Sequence, residues 1–116
     1  MGEDKKKNPY TNVNVVVLTG NLTRDPEVRQ GATTKMGRFT LAVNDIYDTD
    51  FVSCKVFGKE ADFLEQHCHK GSSIEIRGRI KTSSYEKNGS TVYVTEVVGD
   101  SLSFAGGGRK KEEPTE

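Results

Sequence analysis

The sequence has 116 residues with 33% hydrophobic side chains, long enough for one domain with a modest core and too short for two. Its 17 basic and 17 acidic residues cancel, so a basic site can arise only by sorting charges onto one face. No apolar run is long enough to span a bilayer, and the start of the chain lacks the apolar stretch of a secretion signal.

Composition divides the chain into three parts. Residues 1–11 are polar and charged, which predicts a flexible leader. Residues 105–116 combine a glycine run with mixed charges, which predicts a flexible tail. Strand-like runs separated by turn residues fill residues 12–104, so we expect the folded domain there.

The first predicted strand, VNVVVLTG over residues 13–20, is apolar on both faces. Such a strand is either buried twice within the domain or packed against another subunit. We expect a subunit contact, formed by Val15, Val16, Val17 and Leu18.

The second and third predicted strands alternate with period two. GRFTLAVN over residues 37–44 has an apolar face formed by Phe39, Leu41 and Val43. FVSCKVF over residues 51–57 has Val52, Cys54 and Val56 on one face and a mixed set on the other, namely Phe51, Ser53, Lys55 and Phe57. Either the mixed face is an exposed binding surface, or its phenylalanines face the core and the valines pack against another subunit.

One helix is predicted, over KEADFLEQHCHKG at residues 59–71. Ala61, Leu64 and Cys68 recur at helical spacing and would pack onto the core. Gly71 stands where a C-terminal cap is expected.

SIEIRGRIKT and TVYVTEVV form a predicted hairpin, because Asn88-Gly89 between them tolerates the positive φ of a tight turn. Even positions of its first strand are aliphatic. The odd positions are basic and end on an aromatic ring, at Arg77, Arg79, Lys81 and Tyr85. SLSF over residues 101–104 would end the fold.

The resulting order of strands and helix predicts an all-β fold, a five-stranded Greek-key barrel of the OB type with one short helix between strands three and four. Barrels of this type bind oligonucleotides or oligosaccharides. A plain α+β sheet domain fits the pattern nearly as well.

No catalytic or metal-binding pattern is present in the sequence. Cys54 and Cys68 suit a reducing cytoplasm better than a disulfide scaffold. Neighbouring positions such as His67, Cys68 and His69 point in different directions on a helix, and no second pair has zinc-ligand spacing. We therefore expect no enzyme activity, no metal and no cofactor.

Strands three and four carry aromatic and basic side chains together on the face opposite their aliphatic side. Single-stranded nucleic acid requires that combination, because bases stack on rings while Lys and Arg follow the phosphates. A carbohydrate-binding OB domain is a rival, but it predicts Trp on that face, and the chain has none.

Five segments resemble the bacterial single-stranded DNA-binding protein family: VVVLTGNLTRDPEVR, FTLAVN, FGKEADFLEQHCHKGS, GRIKTSSYE and YVTEVVGDSL. The resemblance covers about residues 12–104 and implies an OB-fold, usually a homotetramer, that coats single-stranded DNA without sequence preference. The stacking positions that it implies are Tyr47, Phe51, Phe57 and Tyr85. The basic contact positions that it implies are Arg29, Lys59, Lys70 and Lys81. Candidate phosphate contacts on neighbouring strands are Lys35, Arg38, Lys55, Arg77 and Arg79.

The sequence departs from the family pattern in four ways. It has no Trp where relatives often stack bases on Trp, and Ser53, Ser83 and Ser84 stand where many relatives have cations. Only Asp48-Thr49-Asp50 separates Tyr47 from Phe51, where the family usually has a longer loop. The chain ends in KKEEPTE, without the acidic tip and terminal Pro-Phe through which relatives recruit partners.

The predicted function is therefore sequence-independent binding and protection of single-stranded DNA during replication, recombination or repair, in the cytoplasm and associated with the nucleoid. The alternative is an OB-fold protein-interaction module of a primosome-like or conjugative assembly. The exposed aromatic and basic face separates the two, because a protein-contact module does not need Tyr85 beside Lys81.

Overall fold

A computed structural model describes residues 12–105, so the predicted leader and nearly all of the predicted tail lie outside the described residues. The described region has six strands and one helix. In chain order they are β1 (Val16–Leu22), β2 (Glu27–Gln30), β3 (Lys35–Asn44), β4 (Thr49–Phe57), α1 (Lys59–His67), β5 (Ser73–Lys87) and β6 (Ser90–Phe104).

The predicted all-β class with one short helix is confirmed, with two differences in strand count. A short strand, β2, precedes β3, so the helix lies between the fourth and fifth strands. SLSF is not a separate strand but the end of β6. Asn88 and Gly89 both have positive φ, at 51° and 81°, and form the tight turn predicted between β5 and β6.

The strands close into a ring. Their order is β1-β5-β6-β4-β3-β2, and β1 also pairs with β3 through Asn21↔Ala42 and Leu22↔Leu41. A short parallel contact, Cys54↔Val97 and Lys55↔Val98, joins the β3–β4 hairpin to the β5–β6 hairpin. This closure separates the fold from an open α+β sheet and gives it one interior, as in an OB-fold barrel.

The interior is filled by the alternating apolar positions that the sequence predicted. Fully buried members, with no exposed surface, are Leu41, Val56, Ala61, Leu64, Ile74 and Ile76. Two glycines make this packing possible. A Cβ at Gly37 would lie 2.6 Å from Leu64 Cδ2, and one at Gly78 would collide with the Val98 carbonyl. Gly78 adjoins a register shift between β5 and β6, where the ribbon bends into the ring.

The helix covers one end of the ring and is shorter than predicted. It ends at His67; Cys68 is extended, and its N–H donates to the Leu64 carbonyl at 3.1 Å. Gly71 is therefore not the helix cap, and that prediction was wrong. Its N–H donates instead to the Leu22 carbonyl at 2.9 Å, so the link after the helix is held by the end of β1. No helix within residues 12–105 is long and apolar enough to cross a membrane.

The two faces of β1 have different surroundings. Val16 and Leu18 pack against the core, whereas Val15 is 71% and Val17 48% exposed. Burial on both faces within one chain is therefore excluded. Where the β1–β5 ladder would continue, the Asn14 side chain accepts from the Ile80 N–H at 2.9 Å and donates to the Ile80 carbonyl at 2.8 Å.

Candidate nucleic-acid interface

The outward faces of four strands form one groove of about 520 Å³. Directly opposite residues of a ladder project to the same side of a sheet. The β3–β4 register pairs Arg38 with Lys55 and Thr40 with Ser53, and the β5–β6 register pairs Ser83 with Val94. The residues that line the groove include Arg38, Ser53, Lys55, Ser83, Tyr85 and Glu96.

All four predicted stacking rings are exposed: Tyr47 by 89%, Phe51 by 68%, Phe57 by 44% and Tyr85 by 52%. The interpretation in which the two phenylalanines face the core is wrong, because Cys54 and Val56 occupy the inner face of β4. Phe51 and Phe57 are six residues apart on one strand, which separates them by about 20 Å. Tyr85 lines the groove, and the other three rings extend the surface along β4 and beyond it.

Tyr47 lies in a tight loop, residues 45–48, between β3 and β4. Asp45 Oδ1 accepts the backbone N–H groups of Tyr47 at 2.7 Å and Asp48 at 2.8 Å, and these bonds hold the pKa of the Asp45 carboxyl below its usual value. Thr49 and Asp50 already belong to β4, so the connection is not the predicted Asp48-Thr49-Asp50 loop. It remains short, and its own backbone hydrogen bonds fix it.

Two predicted phosphate contacts, Lys55 and Arg38, lie beside the carboxylate of Glu96 in the groove. Glu96 Oε1 lies 3.3 Å from Lys55 Nζ, and Glu96 Oε2 lies 3.8 Å from Arg38 Nε. The Glu96 side chain is only 12% exposed. The sequence analysis missed this residue, although period-two alternation along β6 places it beside Val94 on the groove side.

Three other predicted cations are paired outside the groove. Lys35 Nζ lies 2.7 Å from a carboxylate oxygen of both Asp62 and Glu65 on the helix, and these hydrogen bonds raise its pKa to about 12. Arg77 pairs with Glu75 at 2.8 Å and Arg79 with Asp100 at 3.4 Å. The remaining four have no ion pair with a carboxylate in residues 12–105; they are Arg29, Lys59, Lys70 and Lys81.

A further exposed ring, Tyr93, was also missed. It is 81% exposed and lies opposite Ser84 in the β5–β6 register. Adjacent positions on a strand project to opposite faces, so Tyr93 faces away from the groove that Tyr85 lines. Period-two counting along TVYVTEVV could have found it.

The cysteines occupy the core, as predicted for Cys68. Cys54 and Cys68 are both buried, and burial raises the pKa of each thiol. For Cys54 the pKa reaches about 12, with a further contribution from the charge of Glu96, so this thiol is protonated near neutral pH. Among the described residues, no group of three or more His, Cys, Asp or Glu side chains is placed to hold a metal ion.

Residues 13–105, which include every strand and the helix, match the Single-strand binding protein family. This chain belongs to that family. It is 43% identical over 102 residues to the single-stranded DNA-binding protein of Clostridium perfringens, which covers 83% of this chain and 68% of the relative. It is 42% identical over 101 residues to single-stranded DNA-binding protein 2 of Staphylococcus aureus, covering 79% and 72%.

A more distant member of the family, the single-stranded DNA-binding protein of Fusobacterium nucleatum, is 37% identical over 102 residues, covering 79% of this chain and 66% of the relative. The chain therefore spans about two thirds of the length of these relatives. The resemblance seen in the sequence is confirmed, and with it the OB-fold expected of the family.

Proposed function

We propose that this protein binds single-stranded DNA without sequence preference and protects it during replication, recombination or repair. The observation that carries the proposal is an exposed aromatic and basic face. Tyr85 lines a groove that contains cations, Phe51 and Phe57 are exposed on β4, and Tyr47 is exposed in the adjoining loop. Stacking a base on an aromatic side chain contributes about 1–3 kcal/mol and tolerates any base. The names of the relatives, single-stranded DNA-binding proteins, agree with this ligand.

In this proposal the single-stranded DNA passes over the four rings in turn. Tyr85 stacks a base at the groove wall, and Phe57, Phe51 and Tyr47 stack further bases along β4 and the adjoining loop. The rings are smaller than Trp, so each stack is weaker than a stack on Trp. Hydroxyl groups of Ser53 and Ser83 in the groove can donate to phosphates or base edges.

The candidate phosphate contacts that do not line the groove divide into two groups. Arg29, Lys59, Lys70 and Lys81 are the stronger candidates, because no described carboxylate pairs with them. Lys35, Arg77 and Arg79 contribute less, because each already lies beside an acid outside the groove.

The proposal includes assembly into a homo-oligomer, a tetramer in the first instance, through the outward face of β1. Val15 and Val17 expose large apolar surfaces there, and burying them against another copy removes that area from water. Val16 and Leu18 support the contact from the core side. The proposal also includes a cytoplasmic, nucleoid-associated location, a folded unit over residues 12–104 and a purely binding role without catalysis.

Two tyrosines on one hairpin provide the test. Tyr85→Ala should weaken binding of a fluorescently labelled oligo-dT roughly five-fold or more, the effect of losing about 1 kcal/mol or more of stacking. Tyr93→Ala removes an equally large ring from the opposite face and should leave binding unchanged. Anisotropy titrations measure both, and thermal melts confirm folding. Equal affinity for Tyr85→Ala and the unmodified protein would reject the proposed binding face.

A further inference from the structure

Glu96 occupies an unexpected place for an acid in a groove proposed to bind a polyanion. It lies on β6, and its carboxylate contacts Lys55 Nζ of β4 and approaches Arg38 Nε of β3. Lys55 is 21% and Glu96 12% exposed, so this ion pair is screened by water less than a surface pair. We refer to Arg38, Lys55 and Glu96 as the groove triad.

The groove as a whole has no excess positive charge. Its lining contains three cations and three carboxylates, which are Arg24, Arg38, Lys55, Asp25, Glu27 and Glu96. A phosphate entering the groove therefore meets as many negative as positive groups. Glu96 contributes most to this balance for the central cations, because it contacts both of them.

We propose that Glu96 is an internal competitor of DNA phosphate that sets the affinity and salt dependence of binding. The inference rests on the proposed function. Because the negative charge of Glu96 lies beside them, Arg38 and Lys55 present a net charge of +1 to a phosphate instead of +2. Glu96 lies within β6 and its side chain is only 12% exposed, so its carboxylate stays in the groove when single-stranded DNA binds. Its repulsion of phosphate opposes the attraction of both cations.

The test replaces the carboxylate by a neutral side chain of the same size. Glu96→Gln should tighten oligo-dT binding several-fold at low salt. Single strands give a slope of log affinity against log salt of about −0.7 per phosphate neutralised, so one more neutralised phosphate makes the slope more negative by about 0.7. Anisotropy titrations at four or more salt concentrations give both quantities.

Glu75→Gln is the matched control. Glu75 also lies on the sheet surface and pairs with an arginine, Arg77, at 2.8 Å. Arg77 lies opposite Val17 of β1, and neither Glu75 nor Arg77 lines the groove. The control changes the net charge by the same amount but frees only Arg77, which lies outside the groove, so its salt slope should change less than that of Glu96→Gln. Glu96→Asp keeps the charge and should retain most of the repulsion.

The outcomes separate this inference from the proposed function. Equal gains for Glu96→Gln and Glu75→Gln would show a general charge effect and overturn the inference. Weaker binding by a normally folded Glu96→Gln would show that Glu96 orients the cations, which also overturns it. If the unmodified protein binds oligo-dT through Tyr85 and Glu96→Gln leaves the slope unchanged, only the inference fails. If the unmodified protein does not bind oligo-dT, the proposed function fails with it.

A second pair of variants keeps the inference testable if Glu96→Gln unfolds at a much lower temperature than the unmodified protein. Lys55 is paired with Glu96, whereas Lys59 has no ion pair with a described carboxylate and does not lie opposite Glu96. Lys55→Gln should therefore reduce the salt slope less than Lys59→Gln does. An equal or larger loss for Lys55→Gln would overturn the inference.

Discussion

The groove face of β3 to β6 and the outward face of β1 are both exposed parts of one strand ring, yet their side chains differ. The groove face combines separated rings with cations and carboxylates. Val17 on β1 and Val15 just before it are exposed apolar neighbours on one side of this segment. A flexible polyanion is bound by spaced rings and charges, whereas a second folded surface is bound by a continuous apolar strip. In the proposed function these two faces bind different partners, single-stranded DNA and a second copy of the chain, so mutations should separate the two activities.

The largest expected effect is loss of assembly. Val15→Asp combined with Val17→Asp places two charges on the strip, and burying them against another copy would be costly. We expect the double variant to be monomeric in light scattering while a short oligo-dT still binds each subunit. Tyr93→Asp combined with Thr95→Asp adds two charges at exposed positions of β6, away from β1 and on the face opposite the groove, and serves as a control for charge alone.

An unmodified protein that is already monomeric at micromolar concentration would contradict the assignment of β1 to assembly. Loss of short-oligonucleotide binding by the folded double variant would contradict the separation of the two faces.

A smaller effect is expected from the β3–β4 loop beside Tyr47. Asp48 in this loop and Asp50 near the start of β4 are both exposed, and they should repel a phosphate that passes Tyr47 toward Phe51. Asp48→Lys combined with Asp50→Lys should tighten oligo-dT binding and make the salt slope steeper, with no change in assembly. Fluorescence titrations at several salt concentrations test this. An unchanged slope and site size would place the loop off the DNA path.

The smallest effect concerns the stability of that loop. The pKa of Asp45 is lowered by the N–H groups of Tyr47 and Asp48, so its ionised form stabilises the folded state. That contribution is present above the ordinary carboxyl pKa and is lost as the pH falls through the lowered one. Asp45→Ala should therefore melt slightly below the unmodified protein near neutral pH, and the difference should vanish in strong acid.

Asp50→Ala is the control for the loop, because Asp50 is exposed and makes no side-chain hydrogen bond to the described residues. Circular dichroism melts at neutral and acidic pH measure both variants. A difference for Asp45→Ala that persists unchanged in strong acid would show that the carboxylate hydrogen bonds are not its source.

The sequence by itself determined the features that depend on local periodicity. Alternation along GRFTLAVN and FVSCKVF assigned the inner and outer faces of β3 and β4, because successive side chains of a strand point to opposite sides. Asn88-Gly89 determined the β5–β6 turn, since both residues adopt positive φ. The motifs shared with the family predicted the OB-fold and identified the four candidate stacking rings.

Only the tertiary structure decided which charges meet. Arg38, Lys55 and Glu96 are far apart in the sequence and come together because β3 pairs with β4 and β4 runs parallel to β6. Lys35 forms ion pairs with two carboxylates of the helix because the helix folds over the end of β3. The link after the helix is held from β1, because the Gly71 N–H donates to the Leu22 carbonyl. Each of these contacts depends on ring closure, which no local pattern encodes.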